Sequence, residues 1–222
     1  DDADLDLALE GALWGAFGTT GQRCTATSRL ILQKKIHDKF VGMLEKRVKG
    51  LKLGDGRKKG TDVGPLINED SLRKVETYVD IGQSEGAELV CGGERPAKLA
   101  KGNFFEPTIF KGVKPGSRLE QEEIFGPVLS IIEVKSFEEA IDVLGHGLPA
   151  HAHGDEAGHV LDQRDALAQR LEEARRDGAE PGPRILFTVG LGVSLGRELK
   201  ARPEVAGVTP RHCRANRHTF DA

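Results

Sequence analysis

Arg29-Leu30-Ile31-Leu32-Gln33 is a short apolar run, and Lys34 to Leu51 follows it directly with Ile36, Phe40, Leu44 and Val48 at helical spacing. A short run with an unbroken apolar centre reads as a strand covered on both faces. A strand that passes straight into an amphipathic helix is the building unit of an α/β sheet. The same alternation extends in both directions. Upstream, Leu5, Leu9, Leu13, Ala16 and Phe17 form the apolar stripe of a helix reaching to about Phe17, with Asp4, Asp6 and Glu10 placing negative charge in its first turns. Gly18 and Gly21 end that helix. Downstream, Leu53 to Gly60 is a polar loop, and Asn68 caps a third helix with Leu72, Val75, Val79 and Ile81 inside. Ala87 to Cys91, Phe105 to Phe110 and Val128 to Val134 read as strands. Ser136 opens a helix to Leu144 with Glu139 three residues on, a capping box. The pattern predicts an α/β layered domain over residues 1–144, with a largely parallel sheet flanked by helices.

After Leu144 the composition changes. Six of the seven histidines lie beyond it, and its only lysine is Lys200, beside ten arginines. Residues 145–222 therefore form an atypical tail, better explained by a shifted reading frame or a fusion than by divergence. Within it, Val160 to Arg176 has helical spacing and Ile185 to Val189 reads as a strand. Gly190 to Gly196 resembles a dinucleotide loop only loosely, without the acidic residue such a loop needs downstream.

The chain of 222 residues carries a formal net charge of -3, which gives no electrostatic case for binding nucleic acid. Its longest apolar runs fall far short of the roughly 20 residues that span a bilayer. The start, Asp1-Asp2-Ala3-Asp4, is acidic where a secretory leader is basic. Cys24, Cys91 and Cys213 show no paired spacing, which fits a reducing, cytoplasmic setting. No metal site is expected. His151 with His153, and Cys213 with His212 and His218, match no zinc spacing.

Cys24 stands at the end of Gly21-Gln22-Arg23-Cys24, a glycine-rich turn just past the first helix. A lone cysteine is most often a small buried apolar residue. At such a turn it is also a candidate nucleophile, because backbone N–H groups and the adjacent Arg23 favour a thiolate; Arg23 can equally point into solvent. Phe17-Gly18-Thr19-Thr20-Gly21-Gln22-Arg23-Cys24-Thr25-Ala26 resembles the active-site cysteine signature of the aldehyde dehydrogenase superfamily. Glu122-Glu123-Ile124-Phe125-Gly126-Pro127-Val128 resembles the cofactor-contacting motif that this family carries later in its chain. The likeness covers residues 1 to about 144.

The resemblance implies NAD- or NADP-dependent oxidation of a small-molecule aldehyde, with Cys24 attacking the carbonyl and its N–H forming half of an oxyanion hole. It implies that Glu123 accepts hydrogen bonds from the nicotinamide ribose and that Phe125 packs beside the nicotinamide. Glu122 and Lys74 are not assigned roles. Cys24 is expected at a loop-to-helix junction close to Glu123. The segment Thr19 to Arg29 looks most like the branch oxidising semialdehydes, including 2,5-dioxopentanoate, and Arg23 favours an anionic substrate. The family is usually homo-oligomeric. In it the dinucleotide-binding domain, the water-activating glutamate and an oxyanion-hole asparagine precede the cysteine. The chain therefore looks like a fragment lacking an N-terminal half. It is expected to be a partial enzyme or, alternatively, an inactive remnant or interaction fragment with slow thiol-dependent ester hydrolysis at most.

Overall fold

The computed structural model describes residues 3–146, 185–189 and 192–196. Helix α1, Leu5–Phe17, starts where the Asp4 carboxylate accepts from the N–H groups of Asp6 and Leu7, both at 3.1 Å. Strand β1, Thr27–Gln33, runs without a loop into α2, Lys34–Val48. Helix α3, Glu69–Ser84, is capped by the Asn68 side chain, which accepts from Ser71 N–H at 2.8 Å. There follow β2 (Glu88–Cys91), β3 (Thr108–Lys111), the short α4 (Arg118–Gln121), β4 (Val128–Val134) and α5 (Phe137–His146). Strands β5, Ile185–Val189, and β6, Gly192–Gly196, complete the described chain.

The sheet order is β2-β3-β4-β1-β5-β6. In the four-stranded part, β3·β4 and β4·β1 are parallel, and only the edge pair β2·β3 is antiparallel. The largely parallel sheet expected from the sequence is thus present in residues 3–146. The β5–β6 hairpin continues it antiparallel beside β1.

Both faces of the sheet are covered, which explains the unbroken apolar runs. Leu30, Leu32, Leu129 and Ile131 join the core made with α1 and α2, where Phe17, Phe40 and Leu44 are fully buried. Ile31, Val128, Ile132 and Val134 join the opposite core with Leu72, Val75 and Val79 of α3 and Ala140 and Val143 of α5. Alternate residues of each strand serve alternate cores, as the two-residue period of a strand demands.

Strand β1 starts two residues before the expected Arg29, β2 one after Ala87, and α5 runs two past Leu144; three further details differ for identifiable physical reasons. Strand β3 begins at Thr108, because Pro107 has no N–H to give the ladder. Helix α2 stops at Val48, where Gly50 N–H turns back to the Arg47 carbonyl at 3.1 Å. The capping box of α5 is offset by one residue: Glu139 N–H donates to Ser136 Oγ at 3.2 Å, but the Glu139 carboxylate takes the N–H of Lys135. The helix expected over Val160 to Arg176 lies outside the described residues. So do His151, His153, His212, Cys213 and His218. Gly192 to Gly196 is strand. Among the described residues, no helix is long and apolar enough to cross a membrane, and no group of three or more His, Cys, Asp or Glu is placed to hold a metal.

Strands β1 and β4 are neighbours and run the same way, with Arg29 opposite Ser130. The segments just ahead of them, Gly21 to Ala26 and Glu122 to Pro127, therefore emerge at the same end of the sheet. This topology alone brings two stretches a hundred residues apart to one place.

Candidate active site

Helix α1 ends in a 3-10 turn, Gly18–Gly21, that bends the chain sharply before β1. Thr19 and Thr20 take left-handed backbone angles, φ 54° and 61°, which L-residues with branched side chains avoid. Each such residue costs about 1–2 kcal/mol. Side-chain bonds offset that strain. Thr19 Oγ1 donates to the Gly18 carbonyl at 2.6 Å, and buried Thr20 donates to the Gly64 carbonyl at 3.1 Å. Gln22 reaches the same distant loop with both ends of its amide. Its Nε2 donates to the Pro65 carbonyl at 3.3 Å, and its Oε1 accepts from Ile67 N–H at 2.9 Å.

Cys24 follows in a turn closed by Ala26 N–H to the Arg23 carbonyl at 2.9 Å, and its side chain is exposed. The turn leads into β1, so Cys24 sits at a loop-to-strand junction rather than the expected loop-to-helix one. Helix α2 begins only after seven strand residues. Among the described residues, no acceptor takes the Cys24 N–H, which leaves it available to a ligand oxygen.

The second segment meets the first at its glycines. A Cβ on Gly21, at φ +69°, would lie 2.2 Å from the Gly126 carbonyl oxygen. A Cβ on Gly126 would lie 2.4 Å from a Val75 methyl. Neither position can hold a side chain, so the two turns touch backbone to backbone. Phe125 adopts φ 58° and leaves its ring 40% exposed, while Ile124 beside it is buried. The three non-glycine residues with positive φ, Thr19, Thr20 and Phe125, thus all lie in these two segments among the described residues. An open cleft lies between them, lined by residues of both turns, Gly21, Arg23, Ala26, Glu123, Ile124 and Phe125 among them, with exposed Cys24 outside its lining. Glu123 is exposed there, so its carboxylate can accept from a diol.

Two ion pairs hold the second segment in place. Arg29 of β1 meets Glu120 of α4 at 2.5 Å with both side chains buried. The other Glu120 oxygen accepts from Gly116 N–H at 3.1 Å and from the Gln121 amide. Ser130 of β4 adds a bond to the Leu119 carbonyl at 3.2 Å. Glu122 is the outer pair. It takes both Arg118 donors, at 2.9 and 3.0 Å, and the Tyr78 hydroxyl. These bonds hold its carboxyl down at about 2. The sequence offered no role for Glu122, and the structure gives it a fastening one. Lys74 lies 5.9 Å from the Tyr78 ring centroid, on the outer side of α3. Cys91 is half-buried in β2, and burial pushes its thiol up to about 11.

The sequence reading missed Arg29, Glu120 and the Gln22 clamp as parts of the site. Arg29 and Glu120 stand ninety-one residues apart in two elements, and no local pattern links them.

The aldehyde dehydrogenase family model matches residues 1–146. The chain is 47% identical over 144 residues to betaine aldehyde dehydrogenase of Bacillus subtilis, covering 64% of this chain and 29% of that protein. It is 44% identical over 165 residues to 2,5-dioxopentanoate dehydrogenase of Saccharolobus solfataricus, covering 74% and 33%. It is 38% identical over 184 residues to alpha-ketoglutaric semialdehyde dehydrogenase of Bacillus subtilis, covering 81% and 38%. Among solved structures, betaine aldehyde dehydrogenase from Staphylococcus aureus in complex with NAD+ superposes with a TM-score of 0.65 at 41% identity, covering 66% of this chain and 29% of that one. The chain thus spans about three tenths of the length of several of these relatives.

The fastening interactions generate two expected outcomes. Glu120→Ala removes the carboxylate partner of a buried guanidinium and costs about 3–5 kcal/mol in denaturant unfolding, while the double change Arg29→Met with Glu120→Leu is close to neutral. Equal losses in both variants contradict the assignment. Because the Glu122 carboxyl is held low, its pair is fully formed above the ordinary carboxylate range. It fades as pH falls from about 4.5 toward about 2. Glu122→Gln removes that part of the acid dependence, a small effect since both side chains are exposed. Unchanged acid unfolding in Glu122→Gln counts against it.

Proposed function

Because the chain belongs to the aldehyde dehydrogenase family, we propose that its described part carries the nucleophile and one side of the cofactor contact of an NAD(P)-dependent aldehyde oxidation. The observation that carries this reading is the meeting of the Cys24 turn and the Glu123–Phe125 turn around one cleft. The Cys24 sulfur attacks the carbonyl carbon of a small aldehyde. A C–S bond forms, and the π pair moves onto oxygen to give a thiohemiacetal. The Cys24 N–H, which no described residue takes up, stabilises that oxygen as one donor of an oxyanion hole. The Gln22 clamp and the strained Thr19–Thr20 turn keep the sulfur from shifting as charge develops. After oxidation the acyl group remains on sulfur as a thioester, which water cleaves to the carboxylate and the free thiol.

A nicotinamide cofactor supplies, when bound, the acceptor for the hydride. The residues present fit one part of such a group. Glu123 offers an exposed carboxylate to the ribose hydroxyls, and Phe125 offers a ring held outward by its left-handed backbone. The likeness to the 2,5-dioxopentanoate and alpha-ketoglutaric semialdehyde dehydrogenases supports a semialdehyde as substrate. A free thiol nucleophile suits a reducing, cytoplasmic setting.

The test is protection of the thiol. Iodoacetamide is expected to label exposed Cys24 well ahead of Cys91, whose thiol is half-buried and held near 11. A small aldehyde such as butanal should slow labelling at Cys24 but not at Cys91, because thiohemiacetal formation hides the sulfur. Butanol should do nothing. Labelling of Cys24 that ignores the aldehyde, as read by peptide mass spectrometry, contradicts the role of Cys24.

A further inference from the structure

Charge is unevenly spread along this chain. Residues 34–59 hold eight of its fifteen lysines and two arginines against three carboxylates, within a chain of net charge -3. The whole-chain value averages over that contrast and hides a local case for an anionic partner. The segment is α2, Lys34–Val48, and the loop that leaves its end. Gly50 and Leu51 bond back to the Arg47 and Val48 carbonyls, at 3.1 and 3.0 Å, so the loop starts against the helix. Every exposed residue in 34–59 is charged or glycine, and Asp38 is the only acid among them. At about 3.6 residues per turn, Lys35, Lys39 and Lys46 fall within about 40° of one another, opposite the buried Phe40 and Leu44. The stripe they form is about 16 Å long.

Folding does not account for these lysines. Lys34 and Lys35 open α2, whose first turn has no acidic residue and no side-chain cap. The helix dipole disfavours cations there. Arg47, Lys49 and Arg57 pair with carboxylates, but Lys39, Lys46, Lys52, Lys58 and Lys59 form no ion pair among the described residues. Gly42 lies in the stripe between Lys39 and Lys46. A Cβ there would meet nothing within 4 Å, so packing does not call for glycine. In an exposed helix it costs about 1 kcal/mol against alanine. The bare position lets a partner's backbone come against the helix between two cations.

We propose that the outer face of α2 and the Lys58–Lys59 loop tip bind the phosphate backbone of a nucleic acid duplex without reading its sequence. A stripe of about 16 Å faces about five phosphates of one strand, at a rise of about 3.4 Å each. The exposed residues of the segment include no aromatic ring on which an unpaired base could stack. They include no apolar side chain to anchor the face in a bilayer. Point cations beside an open backbone suit phosphate oxygens and not base edges. The proposal stands whatever the role of Cys24.

Salt dependence counts the contacts directly. The 222-residue chain is titrated onto a fluorescein-labelled DNA duplex of about 20 base pairs, and anisotropy is read between about 50 and 200 mM KCl. Contacts from Lys35, Lys39, Lys46, Lys58 and Lys59 give a log–log slope of about -4.5, a fall of about 500-fold in affinity over that range. Lys39→Gln with Lys46→Gln should flatten the slope by about 1.8, and Lys58→Gln with Lys59→Gln by about the same. Lys98→Gln with Lys101→Gln removes equal charge outside the segment and should leave the slope unchanged. All six positions are exposed, so the variants keep the fold. A second duplex of different sequence should bind equally. Slopes that flatten equally in the control and the stripe variants overturn the proposal, because binding then follows net charge alone. Slopes unchanged in the stripe variants overturn it too, because another part of the chain then holds the duplex. So does retention on vesicles of phosphatidylcholine and phosphatidylserine in equal parts, or on polyglutamate, with no binding to the duplex.

Discussion

A buried ion pair between Arg29 and Glu120 is the fastening on which the site depends. Arg29 stands five residues after Cys24, and Glu120 three residues before Glu123. Parallel pairing of β1 with β4 brings the two turns to the same end of the sheet but does not fix α4 upon it. The ion pair does, at 2.5 Å with both side chains buried. A carboxylate so enclosed is tolerable only because both its oxygens are bonded, one to Arg29 and the other to Gly116 and Gln121. The net stability such a pair adds is small, but its geometry is strict. What it supplies is a fixed spacing between the Cys24 turn and the Glu123–Phe125 turn.

The site lies at the amino ends of the parallel strands, whereas open α/β sheets usually bind ligands at the carboxyl ends. The local backbone shows how it is built there. An amino-end site must be made by the segments that enter the strands, and those must turn sharply after a helix. Thr19, Thr20 and Phe125 accept left-handed angles to do so, and Gly21 and Gly126 let the two turns touch. Thr20 and Gln22 tie the first turn to the Gly64–Ile67 loop by specific bonds.

Much of this was legible from the chain alone. The apolar run at Leu30 to Leu32, the helical spacing of Ile36, Phe40, Leu44 and Val48, and the Asn68 cap all reflect local physics, and each element stands where the pattern put it. Boundaries slipped where one residue overruled a pattern, as Pro107 does at the start of β3. Helix α4 escaped notice because a single turn has no period to detect. The motif residues Cys24, Glu123 and Phe125 were readable, and the structure sets their segments around one cleft. Their fastenings were not. The Arg29–Glu120 pair and the reach of Gln22 to Pro65 and Ile67 join residues far apart in sequence. Arg23 was visible only as a charge beside a cysteine, and its seat against Trp14 could be known only from the fold.

The central claim is that Cys24, and not another nucleophile of the chain, takes up an acyl group. Acyl transfer from p-nitrophenyl acetate measures this without requiring a hydride acceptor. Peptide mass spectrometry of the quenched protein should find the acetyl group on the Cys24 peptide. Release of p-nitrophenolate should drop to the background rate in Cys24→Ala. An acetyl group on Cys91 or on lysine alone, or release undiminished in Cys24→Ala, would contradict the claim.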